Sequence, residues 1–440
     1  MLAISIFLST SGCSLYEGNI SDLFRPPRLD NEQQAVLDAL STAASGEFTL
    51  KHPRTGTHRS SVIFTDLDGD EKNEAVAFFI LKGMTTVRVQ FFDNVNGEWI
   101  PSTLVDGDSS EIYQYEFADI DGDSDTELVV GWDISISDSL TANSSVSTRK
   151  LSIYDFVDGE CKQIYTTPYS YMLKVNLDSD SAEEIALIAT EAVDASIPES
   201  PIVNRLFLVR SANSVINSDS SLELFSGVSG YSNFISGKIG DGTPAIFLDA
   251  KLNTGEYVTQ VLTLKGTALS KLFPDIENNP TKRTTPIFCM DIDQDTITEF
   301  PVLSPLPDYN ASSPTMRYLT DWCTYEKGVF TTTLSCIVSL SLDFYITLSG
   351  EDRTRLTAEF FPDESLYTVK SANGRFTGTE LFHIKRFAES EGANVAVEGY
   401  SILFTTEGYI IAAKLAEKNK NERYLDMSTI INMVHPISYS

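Results

Sequence analysis

The stretch Asp66-Leu67-Asp68-Gly69-Asp70-Glu71-Lys72-Asn73-Glu74, with the apolar run Ala75–Leu81 behind it, decides how this chain is read. Three other stretches share its form: Asp119-Ile-Asp121-Gly122-Asp123-Ser-Asp125-Thr-Glu127, Asn176-Leu-Asp178-Ser-Asp180-Ser-Ala-Glu183-Glu184 and Asp291-Ile-Asp293-Gln-Asp295-Thr-Ile-Thr-Glu299. Each carries oxygen-bearing side chains at relative positions 1, 3, 5 and 9. A tightly wound loop with that spacing turns its carboxylates toward one point, as a hard cation such as Ca²⁺ requires, with the position-7 carbonyl as a fifth ligand. The candidate metal ligands are therefore Asp66, Asp68, Asp70 and Glu74; Asp119, Asp121, Asp123, Asp125 and Glu127; Asn176, Asp178, Asp180 and Glu184; and Asp291, Asp293, Asp295 and Glu299. Asp-Gly-Asp clusters also form turns that need no metal. The conjunction of the ligand spacing, a preceding strand and recurrence along the chain favours the cation.

The first positions fall at 66, 119, 176 and 291, and the wide last gap has room for one more copy. At Lys238-Ile-Gly240-Asp241-Gly242-Thr-Pro-Ala-Ile-Phe247 the loop-then-strand shape persists without the ligands. A period of about 50–60 residues belongs to propellers and solenoids. Each unit has room for four short strands. The first offers Glu74–Leu81, Thr86–Phe92, Trp99–Val105 and Ile112–Ala118; the second offers Leu128–Trp132, Lys150–Phe156, Cys161–Thr167 and Tyr171–Val175. These runs are rich in Val, Ile, Phe and Tyr and are bounded by Asn, Asp, Gly and Ser. Strands apolar on both faces, such as Glu184-Ile-Ala-Leu-Ile-Ala189, suit units that bury both sheet faces against their neighbours. The expected fold is mainly β: a β-propeller of five to seven four-stranded blades with a small C-terminal α+β domain.

The Asp-x-Asp-Gly-Asp-x-x-x-Glu loop followed by an apolar strand resembles the FG-GAP/VCBS repeat of integrin-α-type propellers, also found in bacterial surface lipoproteins. The resemblance spans about Ser61–Val302. It implies structural Ca²⁺ in the loops and protein or carbohydrate partners. The chain departs from the pattern in lacking the FG-GAP dipeptides and in carrying Glu where the family usually has Asp at position 9.

The N-terminus reads as an address. Leu2–Leu8 is a short apolar run, and Ser9-Thr-Ser-Gly12-Cys13 resembles a lipobox in which Cys13 becomes the lipidated first residue of a protein held on the outer side of a bacterial cell membrane. The expected division is a signal peptide over 1–13, a tether and short helix over 14–45, the propeller over 46–340 and the α+β domain over 341–440. The helix is expected at Asn31–Ala44, with Val36, Leu37 and Leu40 on its apolar face. Cys323 and Cys336 flank the turn Glu326-Lys-Gly328 and could face each other as a cross-strand disulfide, whereas Cys161 and Cys289 read as buried thiols.

Sixty-two acidic residues against 32 basic ones give a net charge of −30. Such a polyanion repels nucleic acid and anionic lipid, so contact with a membrane is expected through the anchor alone. The four histidines, His52, His58, His383 and His435, suggest neither a triad nor a zinc site, and no nucleophile or phosphate-binding motif occurs. The expected function is non-catalytic: a Ca²⁺-stabilised, membrane-anchored scaffold that contacts a protein or glycan. The alternative is a polysaccharide-active hydrolase or lyase using carboxylates at the propeller channel, because acids abound and only geometry identifies a catalytic pair.

Overall fold

Hairpins set the architecture, and the acidic stretches are their turns. In the computed structural model, which describes residues 31–134, 149–157, 159–193, 202–212, 215–309, 317–372, 378–406, 408–417 and 425–437, the residue ahead of each loop pairs with its position-9 glutamate. The pairs are Thr65 with Glu74, Ala118 with Glu127, Val175 with Glu184 and Met290 with Glu299, all antiparallel. At the first three loops the strands before and after therefore belong to one sheet, whereas the Asp291 loop is closed by an isolated bridge. This shifts the repeat by one strand from the sequence grouping: Ile112–Ala118 bonds forward to Glu127–Asp133, not back to the unit that precedes it.

Among the described residues six antiparallel sheets follow one another along the chain. The first holds β1 (Phe48–Leu50), β2 (Val62–Thr65), β3 (Glu74–Leu81), β4 (Arg88–Val95) and β5 (Glu98–Asp106). The second holds β6 (Ile112–Ala118), β7 (Glu127–Asp133), β8 (Arg149–Val157) and β9 (Glu160–Tyr169). The third holds β10 (Tyr171–Val175), β11 (Glu184–Ala192), β12 (Ile202–Ala212) and β13 (Val215–Glu223). The fourth, built on the loop without ligands, holds β14 (Val228–Lys238), β15 (Pro244–Leu252), β16 (Tyr257–Lys265) and β17 (Ala268–Lys271). In the second, third and fourth sheets the strands are ordered as in the sequence, the up-and-down meander expected of short hairpin connections; in the first, β1 and β2 both pair with β3, side by side along one edge.

The fifth sheet joins β18 (Phe300–Pro305), β19 (Tyr318–Glu326), β20 (Val329–Ser339) and β21 (Phe344–Thr347) to β27 (Val434–Pro436). It thus takes strands from both sides of residue 340, where the sequence division falls. The sixth joins β22 (Leu356–Phe361), β23 (Leu366–Ser371), β24 (Glu380–Ala388), β25 (Ser401–Thr406) and β26 (Tyr409–Leu415), with β26 between β24 and β25. Among the described residues four α-helices accompany the sheets: α1 (Asn31–Ala43), α2 (Asp352–Arg355), α3 (Gly392–Val397) and α4 (Met427–Met433). Cys13 and the tether over 14–29 lie outside the described residues.

Side chains alternate across a strand, and here both faces are apolar. Ile185 and Leu187 of β11 pack toward Val129, Leu151 and Ile153 of the second sheet, whereas Ala186 and Ile188 pack toward Ile246, Leu248 and Leu262 of the fourth. Phe78 and Phe91 meet Trp132, Tyr154 and Phe156 between the first two sheets. Phe247 and Val261 meet Phe300 between the fourth and fifth, and Ile337 and Ile346 meet Leu356, Phe382 and Ile384 between the fifth and sixth. The end faces are covered by helices. Val36 and Leu40 of α1 lie on Ala75, Ala77 and Phe79 of the first sheet, and Val395 of α3 lies on Phe387, Ile410 and Ala412 of the sixth.

Two local findings correct or extend the sequence reading. Cys323 stands opposite Thr332 and Cys336 opposite Thr320, so the two cysteines sit several residues apart along the β19–β20 ladder and do not face each other. At about 3.3 Å per residue this exceeds disulfide reach, and Cys161, Cys289, Cys323 and Cys336 are all buried free thiols. The other finding is a fully buried ion pair in the fourth sheet. Asp249 accepts hydrogen bonds from Arg283 Nη2 (2.6 Å), Cys289 N (2.9 Å), Asn233 Nδ2 (3.0 Å) and Thr259 Oγ1 (2.5 Å). Arg283 also donates to the Ile287 and Thr281 carbonyls, which fixes the connection leading to the Asp291 loop.

Arg283→Leu leaves Asp249 buried without its counter-ion and is expected to cost about 3–5 kcal/mol, with most of the loss recovered when Asp249→Leu is added. Urea unfolding measures both; a loss below about 1 kcal/mol for the single variant contradicts the account.

Candidate metal centres

The four loops are wound by the same backbone device. Position 4 takes a positive φ in every copy: Gly69 (71°), Gly122 (80°), Ser179 (63°) and Gln294 (64°). Position 6 does so in three: Glu71, Ser124 and Thr296. Such left-handed residues are uncommon outside glycine and turn the chain back on itself. The acids hold the turn by accepting backbone N–H groups. The position-1 carboxylate takes the position-6 N–H, as in Asp66 with Glu71 (3.0 Å), Asp119 with Ser124 (3.1 Å) and Asp291 with Thr296 (2.9 Å). Position 5 takes that of position 7, as in Asp70 with Lys72, Asp123 with Asp125, Asp180 with Ala182 and Asp295 with Ile297.

Position 9 closes the loop from beneath. Glu74, Glu127, Glu184 and Glu299 are 2%, 2%, 3% and 0% exposed. Each accepts the position-2 N–H through Oε2, from Leu67 (2.7 Å), Ile120 (2.7 Å), Leu177 (2.9 Å) and Ile292 (3.1 Å). A glutamate at this place supplies the reach needed to span the turn. Burial pushes these carboxyls up, to about 7 for Glu74, about 8 for Glu127 and about 7 for Glu184 and Glu299. The N–H bonds oppose the shift, and the neighbouring loop aspartates add to it.

Three of the four sets bring carboxylate oxygens within 4.8 Å of one another: Asp66, Asp68 and Asp70; Asp119, Asp121 and Glu127; and Asp291, Asp293 and Asp295. Their donor chemistry fits a hard cation. Two oxygens add to that fit, because Asp66 Oδ1 and Glu299 Oε1 are buried and have no hydrogen-bond partner. The Asn176 loop differs. Asn176 Nδ2 donates to the Asp180 carbonyl at 2.9 Å, so an amide proton crosses the loop where the others present only acceptors. Asp125 is also placed differently from its sequence assignment. It lies against the preceding loop, where a methyl group at Gly69 would sit 2.4 Å from its Oδ1.

Successive loops are also joined to one another. The position-8 N–H of one reaches the start of the loop before it: Thr126 to the Leu67 carbonyl (3.3 Å), Glu183 to Asp119 (2.6 Å) and Thr298 to Lys238 (2.8 Å). Sequence reasoning missed Asp93 of β4 and Asp155 of β8, which lie at corresponding places in successive sheets. Asp93 helps raise the Asp68 carboxyl, and Asp155 that of Glu127. Their separation from the loops along the chain gave no sequence signal. His58 stacks on Tyr115 at 5.3 Å, with Nε2 3.6 Å from Glu116, and is therefore more closely engaged than a solvated loop residue.

No protein-family model matches this chain, and no curated protein matches it. Among solved structures it is similar to a Bacillus licheniformis rhamnogalacturonan lyase PL11, at 14% identity over 77% of this chain and 75% of that one, with a TM-score of 0.28. It is similar to the rhamnogalacturonan lyase YesW at 14% identity, over 76% and 73%, with a TM-score of 0.29. It is similar to Saccharomyces cerevisiae Sqt1 at 10% identity, over 73% and 92%, with a TM-score of 0.29. Superpositions this loose carry no argument about activity. Among the described residues no helix is long and apolar enough to cross a membrane.

The raised glutamates set the sign of a pH response. A carboxyl whose folded pKa lies above its unfolded value of 4.5 favours folding while it is protonated and loses that contribution as pH rises through the folded pKa. In chelator, the melting temperature is expected to fall between pH 5 and pH 8.5. Glu127→Gln, which keeps an acceptor for Ile120 N, is expected to raise it at pH 8.5 and leave it nearly unchanged at pH 5. A variant that melts like the parent at both pH values rules out strain at this carboxylate.

Proposed function

We propose that this protein is a non-catalytic scaffold whose six sheets are the blades of an open, β-propeller-like array capped at its two ends by α1 and α3, braced by Ca²⁺ in the acidic loops, and that its exposed surfaces contact a protein or glycan. The observation that carries this reading is the closed form of the loops. In each, the position-9 glutamate is buried and bonded to its own backbone, and the remaining acids hold the turn. Carboxylates committed in this way order a chain and leave little for general acid–base work. No histidine or cysteine joins the carboxylate clusters among the described residues.

In this proposal Asp66, Asp68, Asp70 and Glu74 hold one cation, Asp119, Asp121, Asp123 and Glu127 a second, and Asp291, Asp293, Asp295 and Glu299 a third. The Asn176 set, with its lower charge and its internal amide bond, is the weakest. The resemblance of the Gly12-Cys13 segment to a lipobox supports attachment to a bacterial cell membrane on its outer side, and the charge of −30 supports contact with the bilayer through the anchor alone.

Thermal unfolding of the full chain in Ca²⁺ and in excess chelator tests the brace. Each occupied site is expected to add about 2.7 kcal/mol at a hundredfold excess of Ca²⁺ over its Kd. The Asp121→Ala, Asp123→Ala double variant is expected to lose only part of that gain. Superimposable melting curves with and without Ca²⁺ mean that the loops are turns alone, and the acids then return as candidates for catalysis.

A further inference from the structure

A cavity of about 340 Å³ opens where the fifth and sixth sheets meet, beside the 285–287 connection. Its walls are chiefly apolar: Ile287, Val338, Leu340 and Phe360, with the rings of Tyr318 and Tyr367. Two features distinguish it from the rest of the surface. In a chain with 62 acidic residues, no Asp or Glu lines it among the described residues, and its charged wall residue is Arg317. By contrast, a depression of about 440 Å³ along the sixth sheet is bordered by Asp363, Glu364, Glu391 and Glu398. The second feature is a buried donor. Thr320, in the cavity wall, is 0% exposed, and its Oγ1 has no hydrogen-bond partner; Thr285 Oγ1, also in the wall, has none either.

An unpartnered buried hydroxyl is costly to a fold and is repaired by an acceptor brought within reach. An apolar chamber with a few convergent polar groups is the usual form of a small-molecule site. We propose that this cavity binds a small amphipathic organic anion, with its ring or alkyl body against Leu340 and Phe360, its acid group toward Arg317, and an oxygen accepting from Thr320. The guanidinium already lies over the Phe360 ring, 6.0 Å from its centroid, so the charge and the apolar wall adjoin. The Arg317 guanidinium in the wall disfavours a cationic ligand, and the apolar walls disfavour a bare inorganic anion, which would be left poorly hydrated.

The test uses the full chain and two probes with the same ring, 2-naphthoate and its uncharged counterpart 2-naphthalenemethanol, titrated by ligand-observed NMR. One-to-one binding of 2-naphthoate is expected, at least fivefold tighter than the alcohol. Arg317→Gln is expected to weaken 2-naphthoate tenfold or more and to leave the alcohol within twofold. Thr320→Val, which keeps the side-chain shape, is expected to weaken 2-naphthoate several-fold without lowering the melting temperature. A role for Thr320 confined to packing would leave binding unchanged. Leu340→Trp is expected to fill the chamber and abolish both probes; if it fails to fold, Val338→Phe takes its place. No binding of 2-naphthoate, equal affinity for the two probes, or binding unaltered by Arg317→Gln or by the filling variant overturns the proposal.

Discussion

Every sheet of this protein is apolar on both faces, and that constraint shapes the rest. An antiparallel sheet with one polar face can rest against a single layer and leave the other side wet. Here Ile185 and Ala186, neighbours on one strand, both need a dry partner, and they find it in different sheets. The only stable course is to stack sheet on sheet until the chain runs out of them. The two outermost faces then require something else, and the chain supplies a helix for each: α1 on the first sheet and α3 on the sixth. The helices have the same role as the terminal caps of repeat arrays, where an end unit lacks a neighbour.

Stacking places the turns of successive sheets close together, and the acidic loops answer that crowding. A tight turn must satisfy its backbone N–H groups, and short carboxylate side chains do so locally. Glutamate at position 9 does the same from below, across the pair that closes the hairpin. The arrangement concentrates charge: several carboxylates gather within a few ångströms, one of them buried. Burial, with a smaller contribution from the neighbouring loop aspartates, raises the four glutamates.

Much of this was legible in the sequence because it is local. The strands Glu74–Leu81, Ile112–Ala118 and Tyr171–Val175 appear with the bounds read from the sequence, since the hairpin turns and apolar runs that define them are contiguous. The helix ending near Ala43 was legible for the same reason. Pairing was less so. Which sheet owns Ile112–Ala118 depends on hydrogen bonds that no composition encodes, and β27 joins β21 across nearly ninety residues of chain. The cysteine pair failed on register, because flanking a turn does not place two residues opposite each other. The acids Asp93 and Asp155 were invisible for a related reason: they reach the loops from the far strand of the next hairpin.

The fourth sheet shows the constraint met by other means. Its turn has lost the ligand pattern, and Lys238 stands where the other copies begin with Asp or Asn. This sheet also holds the buried Asp249–Arg283 pair, which grips Thr259, Asn233 and the Cys289 backbone. A guanidinium is a fixed cation with its donors in a rigid fork, able to satisfy a carboxylate without any exchangeable ion. Burying such a pair requires that its polar atoms be bonded, and the surrounding threonines, Asn233 and carbonyls satisfy both Asp249 oxygens and four of the five Arg283 N–H groups. The long connection from β17 to the Asp291 loop is therefore held by the chain itself, through a pair that sits along β15 away from the Lys238–Pro244 turn. The sheets thus use two different braces, acids that fix a turn and an ion pair that fixes a long connection, and each leaves its backbone groups bonded within the chain.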